Sequence, residues 1–241
     1  MEKQLLYKNL AKYYDLVYSM KDYKDDSRKL MKLIKRYKKS DGKELLEVAC
    51  GTGNYLQYLK NRFNCIGTDI NAGMLRVARQ KAKGVPLKRA DMTKLNLNKK
   101  FDVIVCLFSS IGYVKTYPNL KKTLNGFYKH LKPGGIAVIE PWFTKATFRV
   151  GSPHSLLYDG EDIKIARLDV SAKRGNVSIL DLHFLVAERN KGTTHFIDRH
   201  ELGLFEISRT LKIMKEVGFK PYALKKGAAT NRGTYVCVRE R

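Results

Sequence analysis

From residue 44 to residue 140 the chain alternates between two kinds of segment, and this alternation restricts the fold more than any other feature. Short apolar runs occur at 44–49, 64–69, 85–89, 101–106 and 136–140. Between them lie segments of helical character: one carrying Tyr55, Leu56, Tyr58 and Leu59, one over 71–83 and one over 117–131. Parallel strands need crossover connections of this size, so the pattern predicts a parallel sheet with helices wound on both faces. An earlier helix is expected over 21–39, with Leu30, Leu33, Ile34 and Tyr37 on one face and Ser40-Asp41-Gly42 as its stop. Beyond residue 150 the period changes. Residues 155–205 alternate as strands do, with the clearest pieces at 163–168 and 179–184 and Arg174-Gly175-Asn176 as a hairpin turn. A helix at 208–218 and strands near 221–225 and 234–238 close the chain. The expected organisation is one α/β, doubly wound domain from 1–150 and 206–241, interrupted by an antiparallel β insertion at 151–205.

The first strand runs into Glu47-Val48-Ala49-Cys50-Gly51-Thr52-Gly53-Asn54 and then a helix. Glycines there allow positive φ and close approach of a ligand to the backbone, and helix-start N–H groups favour an anionic group. Ligands of open parallel sheets bind outside the carboxyl ends of the strands. A dinucleotide fingerprint needs a third glycine where Leu56 stands, and a phosphate loop with its Gly-Lys-Ser/Thr is absent. The acid-x-x-x-Gly-x-Gly turn instead resembles motif I of the class I S-adenosylmethionine-dependent methyltransferases. That resemblance implies S-adenosylmethionine as cofactor, with Glu47 near its cationic amino-acid part, Asp69 on the ribose hydroxyls and Asp91-Met92 at the adenine. Ala49, Gly51, Gly53, Ile70 and Leu107 complete the expected cofactor site.

Further motifs narrow the resemblance. Phe108-Ser109-Ser110-Ile111-Gly112-Tyr113, Glu140-Pro141-Trp142-Phe143, Arg174-Gly175-Asn176, His183-Phe184-Leu185-Val186-Ala187 and Arg232-Gly233 are similar to the N,N-dimethyltransferases of TDP-linked amino sugars, of the desosamine and mycaminose type. The similarity runs from about residue 7 to the C-terminus. It implies a seven-stranded mixed sheet with a β-rich lid, a homodimer, and methylation of a sugar amine carried on a nucleotide diphosphate. Tyr113 is then the expected proton acceptor or positioning group. Tyr7 and Tyr14 come from a segment resembling the family's lid, Tyr7 as a second catalytic candidate and Tyr14 at the cofactor. Trp142 and Phe143 are expected to contact substrate, and Arg232 to clamp a diphosphate through its planar guanidinium. The family's Glu-Pro-Trp-Trp carries Phe143 at its fourth position here, and its Pro-Ser-Gly-Arg-Gly reads Ala229-Thr230-Asn231-Arg232-Gly233.

Charge sets the competing readings. Lys and Arg number 47 against 23 Asp and Glu, a net charge of +24. Such an excess attracts polyanions: nucleic acid, an anionic membrane surface or phosphorylated small molecules. It is spread along the chain, with twelve basic residues in 1–42 and nine in 207–241, so no basic tail is expected. An RNA methyltransferase is the first rival, but the Asn/Asp-Pro-Pro-aromatic motif of base-modifying enzymes is replaced by Leu107-Phe108-Ser109-Ser110. The intact acid-Gly-Gly turn argues against the second, a non-catalytic nucleic-acid-binding protein. No apolar run approaches the ~20 residues of a membrane span. The four cysteines lack ligand spacing, so neither zinc nor a disulfide framework is expected. A cytoplasmic enzyme follows as the expectation.

Overall fold

In a parallel strand covered on both sides, successive residues feed two different cores. Here Leu45, Val103, Val105, Ile136 and Val138 pack on one face of the main sheet, and Leu46, Ile104, Cys106, Ala137 and Ile139 on the other. The computed structural model describes residues 11–228 and 230–240. The main sheet holds β1 (Glu44–Val48), β2 (Asn64–Asp69), β3 (Leu87–Arg89), β4 (Phe101–Cys106), β5 (Leu131–Ile139), β11 (Lys220–Leu224) and β12 (Thr234–Val238). Its order is β11-β12-β5-β4-β1-β2-β3. Only β12 runs against its neighbours, so the seven-stranded sheet is mixed as expected.

Helices α2 (Tyr23–Tyr37), α3 (Leu56–Leu59) and α4 (Ala72–Lys81) cover one face through Leu30, Ile34, Leu56, Leu59 and Leu75. Helices α5 (Tyr117–His130) and α6 (Ile207–Val217) cover the other through Leu120, Leu124, Phe127, Ile213 and Met214. Local chemistry sets the helix starts. Asp22 accepts from Asp25 N at the head of α2, and Thr116 Oγ1 from Asn119 N at the head of α5.

Two local features stand out. The expected helix after the glycine turn is present as a single turn, Leu56–Leu59, with Tyr55 at its N-cap position, and β2 begins at Asn64. Lys132-Pro133-Gly134-Gly135, which has the composition of a turn, is instead an irregularity inside β5, where the pairing jumps from Phe101 opposite Leu131 to Val103 opposite Ile136. Its backbone groups find other partners: Gly134 N donates to Arg239 O, and Gly134 O accepts from Lys39 N and Ser40 N.

The insertion forms a second, antiparallel sheet of β6 (Pro153–Asp159), β7 (Ile163–Val170), β8 (Ala172–Arg174), β9 (Val177–Glu188) and β10 (Gly192–Gly203). Its order is β10-β9-β7-β6, with β8 also paired to β9. Arg174-Gly175-Asn176 makes the hairpin between β8 and β9, with Gly175 at φ 59°. The inner face of this sheet (Ile165, Leu182, Phe184, Val186) packs on Tyr13 and Val17 of helix α1 (Ala11–Val17). α1 is also tied to the glycine turn. Asp15 Oδ1 accepts from Thr52 Oγ1 at 2.8 Å and Asn54 Nδ2 at 2.9 Å, and Asp15 Oδ2 pairs with Lys81 Nζ at 2.5 Å. Among the described residues no helix is long and apolar enough to cross a membrane.

Candidate active site

The carboxyl ends of β1, β4 and β5 open into one cavity of about 750 Å³. The strand ends form its floor, while Tyr14 and Tyr18 near α1, together with the inner side of the antiparallel sheet, enclose it. This is the size range of small-molecule and cofactor sites.

The turn after β1 supplies the first wall. Ala49, Gly51 and Gly53 all have positive φ, at 56°, 55° and 77°. A Cβ at Gly51 would meet nothing within 4 Å, so this backbone is open to a ligand. A Cβ at Gly53 would lie 3.2 Å from Ala78 Cβ, so Gly53 serves the packing of the turn on α4. Glu47 is buried beneath the turn, and its Oε2 has no hydrogen-bond partner. Burial, and then the charge of Asp69, push its carboxyl up to about 8. Asp69 holds the turn in shape: Oδ2 accepts from Gly51 N at 2.9 Å and Oδ1 from Asn71 N at 2.8 Å.

The turn after β4 is strained. Phe108 and Ser109 are consecutive residues at φ 50° and 61°, a region costly for side chains with a Cβ. Bonds from the end of β5 hold them there. Phe108 N donates to Glu140 Oε2 at 2.8 Å, and Ser109 Oγ donates to Pro141 O at 2.7 Å. Glu140 Oε1 also accepts from Thr230 N at 3.2 Å, so one buried carboxylate joins the β4 turn to the loop that carries Arg232.

The Arg232 guanidinium lies 4.6 Å from the Trp142 ring centre and 4.5 Å from that of Phe143. Its Nη1 reaches Ser109 Oγ at 3.4 Å, while its Nε is buried without a partner. Desolvation lowers its pKa from the ordinary arginine value. Trp142 also anchors the insertion, its indole N–H donating to Ser178 Oγ at 2.9 Å. Farther along the cavity, Arg167 Nη1 donates to Tyr18 Oη at 3.3 Å, and His154 Nδ1 lies 3.3 Å from Asp169 Oδ2. Tyr113 sits in a 3-10 turn (Ser110–Val114) with its hydroxyl 2.7 Å from His200 Nδ1.

Tyr14, Glu47, Ala49, Gly51, Leu107, Tyr113, Trp142, Phe143 and Arg232, all singled out from the sequence, line this one cavity. Gly53, Asp69, Ile70, Asp91 and Met92 lie outside its lining. Ile70 is half exposed, Asp91 caps a 3-10 turn by accepting from Thr93 N, and Met92 packs against the core. Tyr7 lies outside the described residues. Sequence reasoning missed Tyr18, Arg167 and His200, and gave Glu140 only as part of a motif, without its bonds to Phe108 N and Thr230 N. For His200 a signal existed: Asp198 and His200 stand two apart in a strand and so share a face. The others are brought in by packing alone.

Comparison with known proteins agrees with this geometry. A family profile described as "Methyltransferase domain" matches residues 45–135. The chain is 33% identical over 231 residues to the dTDP-3-amino-3,4,6-trideoxy-alpha-D-glucopyranose N,N-dimethyltransferase of Streptomyces venezuelae, covering 95% of this chain and 97% of the relative. The crystal structure of Streptomyces venezuelae DesVI superposes with a TM-score of 0.89 at 33% identity, over 95% of this chain and 97% of that one. S-adenosylmethionine-bound CalS10, an amino pentose methyltransferase from Micromonospora echinaspora, gives a TM-score of 0.84 at 27% identity, over 99% and 100% of the two chains. With such identity across nearly the full length of both chains, this chain belongs to the class I S-adenosylmethionine-dependent methyltransferases, in the group of the TDP-amino-sugar N,N-dimethyltransferases.

Proposed function

We propose that this chain transfers a methyl group from S-adenosylmethionine to the amino group of a nucleotide-diphosphate-linked amino sugar. One observation carries the substrate reading: the partly buried Arg232, stacked against Trp142 and Phe143, keeps an unpartnered Nε in the wall of the same cavity that Glu47 and Tyr113 line. A desolvated guanidinium seeks a bidentate anion, and a diphosphate is one. Arg167 adds a second cation along the same wall.

The residues present suit the cofactor. The unpartnered Glu47 Oε2 fits a ligand ammonium, and the open backbone at Gly51 fits close approach of the rest of the molecule. Beside it, Asp69 would take the ribose hydroxyls with its remaining lone pairs, and half-exposed Ile70 would cover the adenine with Asp91 and Met92. Tyr14 and Leu107 would pack along the methionyl part. When bound, S-adenosylmethionine supplies an electrophilic methyl group on a sulfonium. The chain supplies position: holding two reactants in line is worth ~7–11 kcal/mol in favourable cases. Enclosure by α1 and the antiparallel sheet excludes water and strengthens the remaining charge interactions. The attacking amine must be neutral, and Tyr113 is the acceptor placed for its proton. Tyr7 remains the second candidate for that role.

The test is methyl transfer from labelled cofactor to a panel of nucleotide-linked amino sugars, with bulk RNA as the control arm. Labelled sugar is the expected product. Label in RNA alone would replace this reading with the nucleic-acid one. Within the active reaction, Arg232→Ala is expected to raise KM for the diphosphate substrate about ten- to thirtyfold while kcat changes little. An unchanged KM would remove Arg232 from the substrate site.

Self-association belongs to the same reading. Leu157, Leu168, Val170 and Leu185 are exposed on the outer face of the antiparallel sheet, and apolar patches of this kind cover interfaces. Light scattering behind size exclusion is expected to give twice the chain mass. Leu168→Glu combined with Leu185→Glu should return it to one. A parent protein that runs as a monomer would exclude the dimer.

A further inference from the structure

A buried hydrogen-bond chain runs from the antiparallel sheet to the cavity wall. Tyr113 Oη is 2.7 Å from His200 Nδ1, and His200 Nε2 is 2.8 Å from Asp198 Oδ2. His200 is 3% exposed and Asp198 0%. Asp198 and His200 share one face of β10, while Tyr113 arrives from the turn beyond β4, so the chain joins the two sheets at the site. The order of its protons follows from chemistry. An ionised carboxylate only accepts, so Nε2 carries the imidazole proton toward Asp198. Nδ1 is then an acceptor, and Tyr113 donates its hydroxyl proton to it. Toward the cavity the tyrosine oxygen acts only as an acceptor.

We propose that His200 and Asp198 are positioning residues that make Tyr113 a proton acceptor for the substrate ammonium. The proposal rests on the reading of this cavity as an amine methyltransferase site. As the ammonium N–H bond breaks, its electron pair stays on nitrogen and the proton goes to Tyr113 Oη. The former Tyr113 proton moves to the lone pair of His200 Nδ1, and Asp198 holds the resulting imidazolium. One positive charge passes from substrate to His200, and nothing is oxidised or reduced. The neutral amine attacks the methyl carbon while the carbon–sulfur electron pair leaves with sulfur. After product departs, the proton on His200 returns to solvent by the same path. Other charged groups lie around this chain, among them Arg167 and His154, which both face Asp169 at 3.8 and 3.3 Å in the same cavity. Glu201 pairs with Lys115 at 2.7 Å and has Arg174 at 3.8 Å, Asp181 on β9 pairs with Arg199 at 2.5 Å, and the cavity also presents Arg232 beside Glu140.

Two measurements test the relay. Nitrogen-15 NMR of the cofactor-free protein reads the His200 tautomer without any substrate. The proton is expected on Nε2, and a neutral His200 protonated on Nδ1 would overturn the proposal whatever the enzyme methylates. In the second, His200→Gln is compared with the parent on the sugar that the parent methylates. At pH 7 kcat should fall at least about tenfold, with KM and cofactor affinity within twofold. The deficit should close as the pH is raised past the amine's own pKa, because the neutral amine then forms without help. A deficit that does not change with pH is structural and overturns the relay, as does an unchanged kcat. Tyr113→Phe, which keeps the ring, should show the same pH-cured deficit and serves if His200→Gln does not fold. A parent that methylates no nucleotide-linked amine would overturn the functional reading and this proposal with it. That failure is distinguished by appearing in the parent rather than in the variants.

Discussion

Gly51→Val should abolish S-adenosylmethionine binding, weakening a micromolar affinity by ~1000-fold or more, about 4 kcal/mol. Two effects combine. Gly51 has φ 55°, and a β-branched residue there is a genuine outlier that pushes the turn out of shape. Any shift also disturbs the Gly51 N–H bond to Asp69, the acid expected at the ribose. The new side chain would also fill the space through which the backbone meets its ligand, since nothing of the protein lies within 4 Å of that Cβ. The same openness means that the added Cβ meets no packed neighbour, so the fold should survive at a cost of ~1–2 kcal/mol for the left-handed backbone. Gly53→Val differs because its Cβ also meets Ala78 Cβ at 3.2 Å, so it should lower the melting temperature further than Gly51→Val does. Calorimetry with a thermal melt as control separates the two. A parent that binds no S-adenosylmethionine would sink the cofactor assignment, and a Gly51→Val protein that still binds at micromolar affinity would sink the role of the turn.

Glu47→Gln is expected to cost about 100-fold in cofactor affinity while making the cofactor-free protein more stable at pH 8. The opposite signs have one cause. The folded-state pKa of Glu47 is pushed up to about 8, above the ordinary carboxylate value, first by burial and then by Asp69. The folded protein therefore holds this proton more tightly than the unfolded chain does. Stability from this group is greatest below the unfolded pKa of ~4.5 and declines as the pH rises through about 8. A neutral glutamine removes that decline. A cofactor ammonium, in contrast, favours the ionised carboxylate, so binding near pH 7 should release about one proton from Glu47. Affinity should then rise with pH up to about 8. Calorimetry in buffers of different ionisation enthalpy reads the released proton directly. Release that persists in Glu47→Gln, or a pH-independent affinity in the parent, would show that Glu47 does not face the ammonium.

The parts of this site that could be read from the residues are those built within one strand–turn–helix unit. Glu47, Gly51, Gly53 and Asp69 stand at the ends of β1 and β2, where chain direction and backbone conformation already restrict what a residue can do. The strand–helix alternation is equally local, and so both faces of the sheet could be anticipated. The bulge in β5 was hidden because Lys-Pro-Gly-Gly has the composition of a turn. Only the Arg239, Lys39 and Ser40 contacts, which lie far away in sequence, let it remain in a strand.

Trp142 shows the limit from the other side. Its place after Glu140-Pro141 marked it as a contact residue, and the structure has it do two things, bonding Ser178 through its edge and meeting Arg232 with its face. The partners of Glu140 and Asp15, and the meeting of Tyr113 with His200, had no comparable local mark, because each bond joins residues 30 to 90 apart in the chain or links the two sheets. Periodicity and turn chemistry are enforced by sterics and hydrogen bonding within a few residues. They were enough for the doubly wound sheet and the glycine turn, while the family rested on the resemblance of longer motifs such as Phe108-Ser109-Ser110-Ile111-Gly112-Tyr113 and Glu140-Pro141-Trp142-Phe143. Which buried carboxylate meets which imidazole or backbone N–H depends on how two sheets close on each other, and that was decided only when the antiparallel insertion packed over the ends of β1, β4 and β5.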